Sequence, residues 1–207
     1  MGSSDEKSEA VRLEQLWSGQ FGDQYVDRNN RAGDVRGPFW SEILQTFPTR
    51  RALEVGCNLG ANLRWIVDKL PAGGTYGIDI NQKAIQTLHG EFPAVNALVG
   101  PARELPFRDC WFDLVFTMGV LIHQPPEILP VVMSEIVRCS RRWVLCGEYF
   151  AEQPAEVPYR GQTGALFKRD FGGTYQQLFP DLVLRKKGFL SRADGWDDVT
   201  YWVFEKP

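Results

Sequence analysis

Short apolar runs alternate along this chain with longer segments in which apolar residues return every three or four positions. The runs have strand length and strand composition, and the longer segments have helical period. Strands are predicted over Ala52–Val55, Thr75–Ile80, Ala94–Val99, Trp111–Met118 and Arg142–Phe150. Helical spacing lies between them at Leu63, Ile66, Val67 and Leu70, then over Gln82 to Gly90 and Glu127 to Cys139. Ala52–Val55 and Trp111–Met118 are runs of the kind that a parallel strand covered on both faces produces. Ahead of the first strand, Val11, Leu13, Leu16 and Trp17 predict a helix over Glu9–Phe21, and Trp40, Ile43, Leu44 and Phe47 predict one over Pro38–Phe47. After the fifth strand come a Pro-rich loop, a short helix ending near Leu178, and two closing strands over Leu182–Leu190 and Val199–Glu205. The polar start of the chain, residues 1–8, is expected to be disordered.

Composition narrows the class. The 207 residues suffice for one full core, and a formal charge of −3 with interspersed signs offers no basic face for a polynucleotide. No apolar stretch reaches membrane-spanning length, and the N-terminus lacks a signal-peptide core. Met1-Gly2 opens a myristoylation pattern, but Glu6 stands where Ser or Thr is needed. The four cysteines make no C-x-x-C pair, so neither a metal site nor a disulfide framework is expected, and a reduced cytoplasmic setting follows. The partner expected is a small molecule, not nucleic acid or membrane; the oligomeric state is left open.

The candidate chemistry begins where the first strand turns through Glu54-Val-Gly56-Cys-Asn58-Leu-Gly60 into helical spacing. Glycines there let backbone approach a ligand closely, and a new helix would aim free N–H groups at it. A dinucleotide loop wants G-x-G-x-x-G, which this sequence does not supply. The order Glu54-x-Gly56-x-Asn58-x-Gly60 instead resembles motif I of the class I S-adenosylmethionine (SAM) methyltransferases, with Asn58 in place of the middle glycine. Asp79 stands about 20 residues further on, where such folds put an acid for ribose hydroxyls; the alternative is a helix N-cap, a role Asn81 can take. Gly100-Pro-Ala-Arg-Glu-Leu-Pro-Phe107 resembles the family's adenine-edging loop with Pro101 for its acid. That leaves backbone around Ala102 and Arg103, or Glu104, to read adenine. Ile80 and Met118 complete the cofactor-lining set.

Beyond the fourth strand, Gly119-Val-Leu-Ile-His123 should border the reacting centre, with His123 as base or acceptor anchor, or merely a helix cap. His89 reads as a solvated or dipole-pairing residue. Gln20 to Asn30 is either a surface loop or a lid with Tyr25, Arg28 and Asn29 facing inward; Tyr25 joins His123 as a catalytic candidate. The N-P-P-Y motif of base and glutamine methylation is absent. Taken together, Leu16–Tyr25, Arg28-Asn29, Gly119–His123, Glu148-Tyr149, Val157-Pro-Tyr-Arg-Gly161 and Leu166-Phe-Lys-Arg-Asp-Phe171 resemble the methylases associated with pseudaminic acid biosynthesis. That resemblance spans nearly the whole chain. It implies a single Rossmann-like class I methyltransferase domain: a mostly parallel seven-stranded α/β sheet with an antiparallel C-terminal strand and helices on both faces. Residues 9–50 would form N-terminal helices and lid, and 51–207 the SAM-binding core, with a substrate loop at about 151–172. Tyr159, Arg160, Lys168 and Arg169 in that loop suit an acidic acceptor. The reaction expected is SAM-dependent methylation of a small acidic or sugar-like metabolite at oxygen, releasing S-adenosylhomocysteine and using no metal. N-methylation of a small amino metabolite, a non-catalytic SAM-binding role and a nicotinamide oxidoreductase are the alternatives.

Overall fold

The computed structural model describes residues 3–29 and 35–207. β1 (Ala52–Val55), β2 (Thr75–Asp79), β3 (Asn96–Val99), β4 (Phe112–Met118) and β5 (Ser140–Glu148) pair in parallel. β6 (Ala155–Glu156) and β7 (Phe167–Lys168) form a small ribbon of their own, and β9 (Val199–Glu205) runs antiparallel to both β5 and β8 (Val183–Leu190). The main sheet therefore has seven strands in the order β3-β2-β1-β4-β5-β9-β8. That is the expected Rossmann-like sheet. Its order reverses between β1 and β4, and open α/β sheets bind ligands outside the carboxyl ends of the strands at such a point.

Strand alternation divides the core in two. Leu53, Val55, Val115, Val144 and Phe204 pack toward α5 (Leu129–Cys139) and α6 (Phe171–Leu178). Ala52, Leu114, Phe116, Leu145 and Val203 pack toward α3 (Gly37–Thr46) and α4 (Gln82–Glu91). α5 shows how pattern becomes packing: Leu129, Val132, Met133 and Ile136 share one buried face at helical spacing. On the opposite layer Trp40 is fully buried, its ring centroid 4.5 Å from that of Phe116, so truncating it should cost about 3–5 kcal/mol. No helix among the described residues is long and apolar enough to cross a membrane.

Three expectations fail locally. The helix expected after β1 is a 3₁₀ turn, Leu63–Trp65, flanked by turns, although Leu63, Ile66 and Leu70 are buried as their spacing required. Aromatic Trp65 and β-branched Ile66 and Val67 are weak helix formers, and i→i+3 bonds from Trp65 and Ile66 replace the longer helical ones. The Gln20–Asn30 segment is mostly helix: α2 (Gln20–Arg28) follows α1 (Ser3–Ser18) after a break at Gly19. Gly22 did not stop it, because glycine is what the α1–α2 corner needs there: a Cβ at Gly22 would lie 1.7 Å from the Trp17 carbonyl oxygen. Finally, α1 begins at Ser3, inside the stretch expected to be disordered. Met1 and Gly2 lie outside the described residues.

Candidate cofactor and acceptor site

A cavity of about 230 Å³ opens at the carboxyl ends of β1, β2 and β4, with residues of α1 and α2 forming its far wall. Its floor is the loop after β1. Gly56, Asn58 and Gly60 all have positive φ, at 74°, 46° and 75°. Asn58 is thus no wider substitute for glycine: asparagine tolerates the left-handed region better than most residues and takes it here. Its backbone N–H donates to Asp79 Oδ2 at 2.8 Å, and the Asn81 N–H donates to Asp79 Oδ1 at 2.8 Å. Asp79 therefore ties the glycine loop to the end of β2. The N-cap of α4 is Asn81, whose side chain accepts from the Ala84 N–H at 2.8 Å, so the capping alternative for Asp79 is not realised.

Glu54 stands at the end of β1, only 2% exposed. Its Oε1 accepts from Asn62 Nδ2 at 2.5 Å, while Oε2 is buried with no partner among the described residues. Burial lifts its carboxyl to about 8, against the opposing pull of Asn62 and Arg36. Burial also raises Asp79, opposed by the N–H groups that bond it. Arg36 donates from Nη1 to Asn62 Oδ1 at 3.0 Å, and its guanidinium lies 4.6 Å from the Trp196 ring centroid. Arg36 Nε and Asn58 Oδ1 are buried without partners as well. The cavity wall therefore presents two carboxyl groups, one guanidinium and spare buried polar atoms around a bend of backbone. That donor set fits an amino-acid head bearing ammonium and carboxylate, next to a cationic centre.

The opposite wall is aromatic. His123 ends a 3₁₀ turn, Leu121–His123, and its Nδ1 lies 2.6 Å from the Ala165 carbonyl oxygen. A carbonyl only accepts, so Nδ1 carries the proton and Nε2 keeps its lone pair. Burial lowers the imidazole to about 4, which leaves it neutral at physiological pH. The Trp17 ring lies 4.4 Å from the imidazole and the Tyr159 ring 5.3 Å from it. Trp17 also meets Tyr25 edge-on at 5.3 Å. Burial pushes the Tyr25 hydroxyl up strongly and lifts Tyr149 to about 12, so both act as neutral phenols.

The sequence-derived candidates separate cleanly. Glu54, Gly56, Asn58, Asp79, Ile80, Ala102, Arg103 and Met118 line the cavity, as do His123, Tyr25, Asn29 and Tyr159. The Arg103 guanidinium is held by Glu14 of α1, with Nε–Oε1 at 2.5 Å, so only its backbone is free to meet a ligand. Gly60 is buried behind the loop against Leu88. The basic residues are not brought together. Arg28 is exposed, 6.0 Å from the Tyr25 ring centroid, and Glu104 is exposed outside the cavity. Arg160 is exposed on a two-residue turn with Gly161, both at positive φ, between mutually bonded Tyr159 and Gln162. Lys168 faces a second hollow shared with Phe150 and Phe189, and Arg169 lies between Phe167 and Phe171, lowered by burial. Sequence reasoning missed Arg36, Asn62, Trp196 and the inward role of Trp17; a polar Asn62 inside an apolar run was the one available signal. His89 is outside the site, Nε2 bonded to the Ala97 carbonyl at 3.0 Å.

A family model for a methyltransferase domain matches residues 52–142, the segment that holds the glycine loop, Asp79 and His123. The 24-methylenesterol C-methyltransferase 2 of Arabidopsis thaliana is 27% identical over 128 residues, 56% of this chain and 35% of that protein. The chain thus spans about a third of the length of this relative. Among solved structures, the magnesium protoporphyrin IX methyltransferase from Synechocystis PCC 6803 with bound S-adenosylhomocysteine superposes with a TM-score of 0.71 at 12% identity, covering 95% of this chain and 99% of that one. The Burkholderia thailandensis 1,6-didemethyltoxoflavin-N1-methyltransferase gives 0.70 at 13% identity, covering 100% and 91%. At such identities these two likenesses concern the fold. Residues 52–142 thus match a methyltransferase domain, set in a Rossmann-like fold with a cavity suited to an ammonium, a carboxylate and a sulfonium.

Proposed function

We propose that this enzyme methylates a hydroxyl oxygen of a small metabolite held between His123 and the Trp17, Tyr25 and Tyr159 rings. One observation carries the proposal: an imidazole locked by the Ala165 carbonyl into the tautomer whose Nε2 can accept a proton. SAM, when bound, supplies an electrophilic methyl on a sulfonium, so the protein's work is mainly alignment. Glu54, Arg36 and the Gly56–Asn58 bend hold and orient the amino-acid head, and Asp79 stands by the ribose. Trp17 and Tyr159 flank the imidazole and exclude water from the acceptor. His123 accepts the hydroxyl proton as the new bond forms, and the Ala165 carbonyl stabilises the resulting imidazolium through Nδ1–H.

The acidic half of the sequence expectation loses its support, because Arg28, Arg160, Lys168 and Arg169 do not line this cavity. The sugar-like half rests on the likeness of Pro158–Gly161 and Phe167–Asp170 to the pseudaminic-acid-associated methylases. A second reading, methylation of an amine, is favoured by the aromatic wall, whose ring faces attract ammonium groups. Mass spectrometry decides: the purified enzyme and SAM are incubated with matched panels of sugars, sugar acids, phenols and amines. Methyl gain on hydroxyl compounds, abolished in His123→Ala with S-adenosylhomocysteine binding intact, supports the proposal. Preferred gain on amines at a rate His123→Ala leaves unchanged rejects it.

A further inference from the structure

Glu148 ends β5 fully buried, and the mechanism above does not use it. Its Oε1 accepts the Val120 N–H and its Oε2 the Ile122 N–H, each at 3.2 Å. Those N–H groups belong to the start of the Leu121–His123 turn, which has no side-chain cap of its own. Helical starts leave such donors unpaired, and consecutive ones form an anion-binding nest. No ammonium or guanidinium is bonded to Glu148 among the described residues, so the N–H groups of this turn, joined by the Thr117 hydroxyl on β4, are what hold the carboxylate. The turn has two functional ends. At one, Val120 packs so closely on the cofactor loop that a Cβ at Gly56 would lie 2.3 Å from Val120 Cγ2. At the other stands His123.

We infer that Glu148 is a positioning residue, a carboxylate cap supplied by β5 that sets Val120 against the cofactor loop and His123 beside the acceptor at the same time. It rests on the cavity being the reaction site, but its test does not need the acceptor. Burial lifts the Glu148 carboxyl to about 7, opposed by the turn's N–H groups, so its charge changes in an accessible range. The titratable groups facing it change charge elsewhere: Cys146, Tyr149 and Tyr175 are all pushed upward by burial. Asp170 approaches through Cys146.

Amide spectra of the ¹⁵N-labelled protein, recorded from about pH 5 to 9, read the cap directly. The Val120 and Ile122 amides should titrate together near neutrality in the wild type and stay flat in Glu148→Gln. Glu148→Gln has one acceptor oxygen for two donors. Its S-adenosylhomocysteine affinity should fall about tenfold, with partial recovery in Glu148→Asp. Glu54 titrates in both proteins, so the wild-type-minus-variant difference isolates Glu148. Independent titration of the two amides overturns the inference, as does a folded Glu148→Gln variant that binds S-adenosylhomocysteine within about twofold of wild type. Should Glu148→Gln not fold, the wild-type amide titration alone decides.

Discussion

The two walls of the cavity are built by different means. The cofactor wall is backbone: a bend of positive φ values between β1 and a 3₁₀ turn, pinned by Asp79 through two N–H bonds of 2.8 Å. The acceptor wall is assembled from side chains of distant segments, Trp17 of α1, His123 after β4, and Tyr159 and Ala165 of the loop between β6 and β7. Its α1–α2 part is fastened by polar contacts. Glu14 pairs with Arg103, Asp27 with Lys83 at 2.6 Å, and Asn81 Nδ2 donates to the Trp17 carbonyl at 3.1 Å. Exposed pairs of this kind contribute about 0–1 kcal/mol each. One wall is fixed backbone geometry, and the other is a cover of side chains that these pairs hold together with the apolar clusters of Leu13 with Ala165 and Phe167, and of Val26 with Leu59 and Ala84.

Damage to the acceptor wall should therefore appear in turnover and damage to the cofactor wall in binding. The largest effect expected is His123→Ala, which should lower kcat by about 10²–10³ while leaving S-adenosylhomocysteine affinity within about twofold. Because the buried imidazole is neutral above about 4, lowering the pH from 8 to 6 should cost no activity through His123 itself. Stopped-time methyl transfer and calorimetric titration on the same preparations separate the two readouts; equal losses in both would erase the distinction between the walls.

Gly56→Ala comes next. Its φ of 74° strains any side chain, and the new Cβ would collide with Val120 at 2.3 Å. S-adenosylhomocysteine affinity should fall about a hundredfold. Gly56→Ala with Val120→Ala should regain part of that loss, measured as a double-mutant cycle, since one of the two penalties is steric. No recovery would put the whole cost in backbone strain.

The unequal construction of the walls also decides which of their residues are legible in the sequence. Glu54, Gly56, Asn58 and Asp79 fall within one strand-turn-strand unit, so local spacing places them correctly. The sheet follows from the same periodicity, and between its first two strands the segment 63–70 misleads, because burial of Leu63, Ile66 and Leu70 is equally met by a 3₁₀ turn. The acceptor wall depends on contacts across more than a hundred positions, such as Trp17 on His123. No local pattern encodes those. Arg160 draws notice by its charge, and Arg36, buried against Trp196 and Asn62, draws none.

Glu54→Gln tests the electrostatics of the cofactor wall with a smaller expected effect, about tenfold in S-adenosylhomocysteine affinity. Its sign in stability is opposite. The Glu54 carboxyl sits near 8 when folded, against 4.5 ordinarily, so the folded chain holds a proton that the unfolded chain has released between those values. Stability from this group is complete below about 4.5 and lost as pH rises through 8. Glu54→Gln keeps an acceptor for Asn62 Nδ2 and carries no buried charge. Its Tm should exceed that of the wild type at pH 9 in the absence of cofactor, and a lower value there would contradict the uncompensated burial of Oε2.

The smallest effect belongs to one of the basic residues that the sequence offered for an acidic acceptor. Arg160 suited a carboxylate anchor, yet it is exposed at the tip of a turn, with φ of 50° and its guanidinium 5.8 Å from the ring of its own neighbour Tyr159. The Pro-Tyr-Arg-Gly segment thereby acquires a conformational meaning: Arg160 and Gly161 supply the two positive φ values of a two-residue hairpin turn, and that turn holds Tyr159 at the acceptor wall. Arg160→Ala should leave the acceptor KM within about twofold, because Arg160 is exposed and does not line the cavity. Arg160→Asn, better suited to the left-handed region, should leave KM alike and raise stability slightly. Tyr159→Ala, at the adjacent position of the same turn, should instead raise KM and lower kcat. A KM that rose for Arg160→Ala and not for Tyr159→Ala would mean that the acceptor reaches out of the cavity to the turn's tip, and the wall described here would be only part of its binding surface.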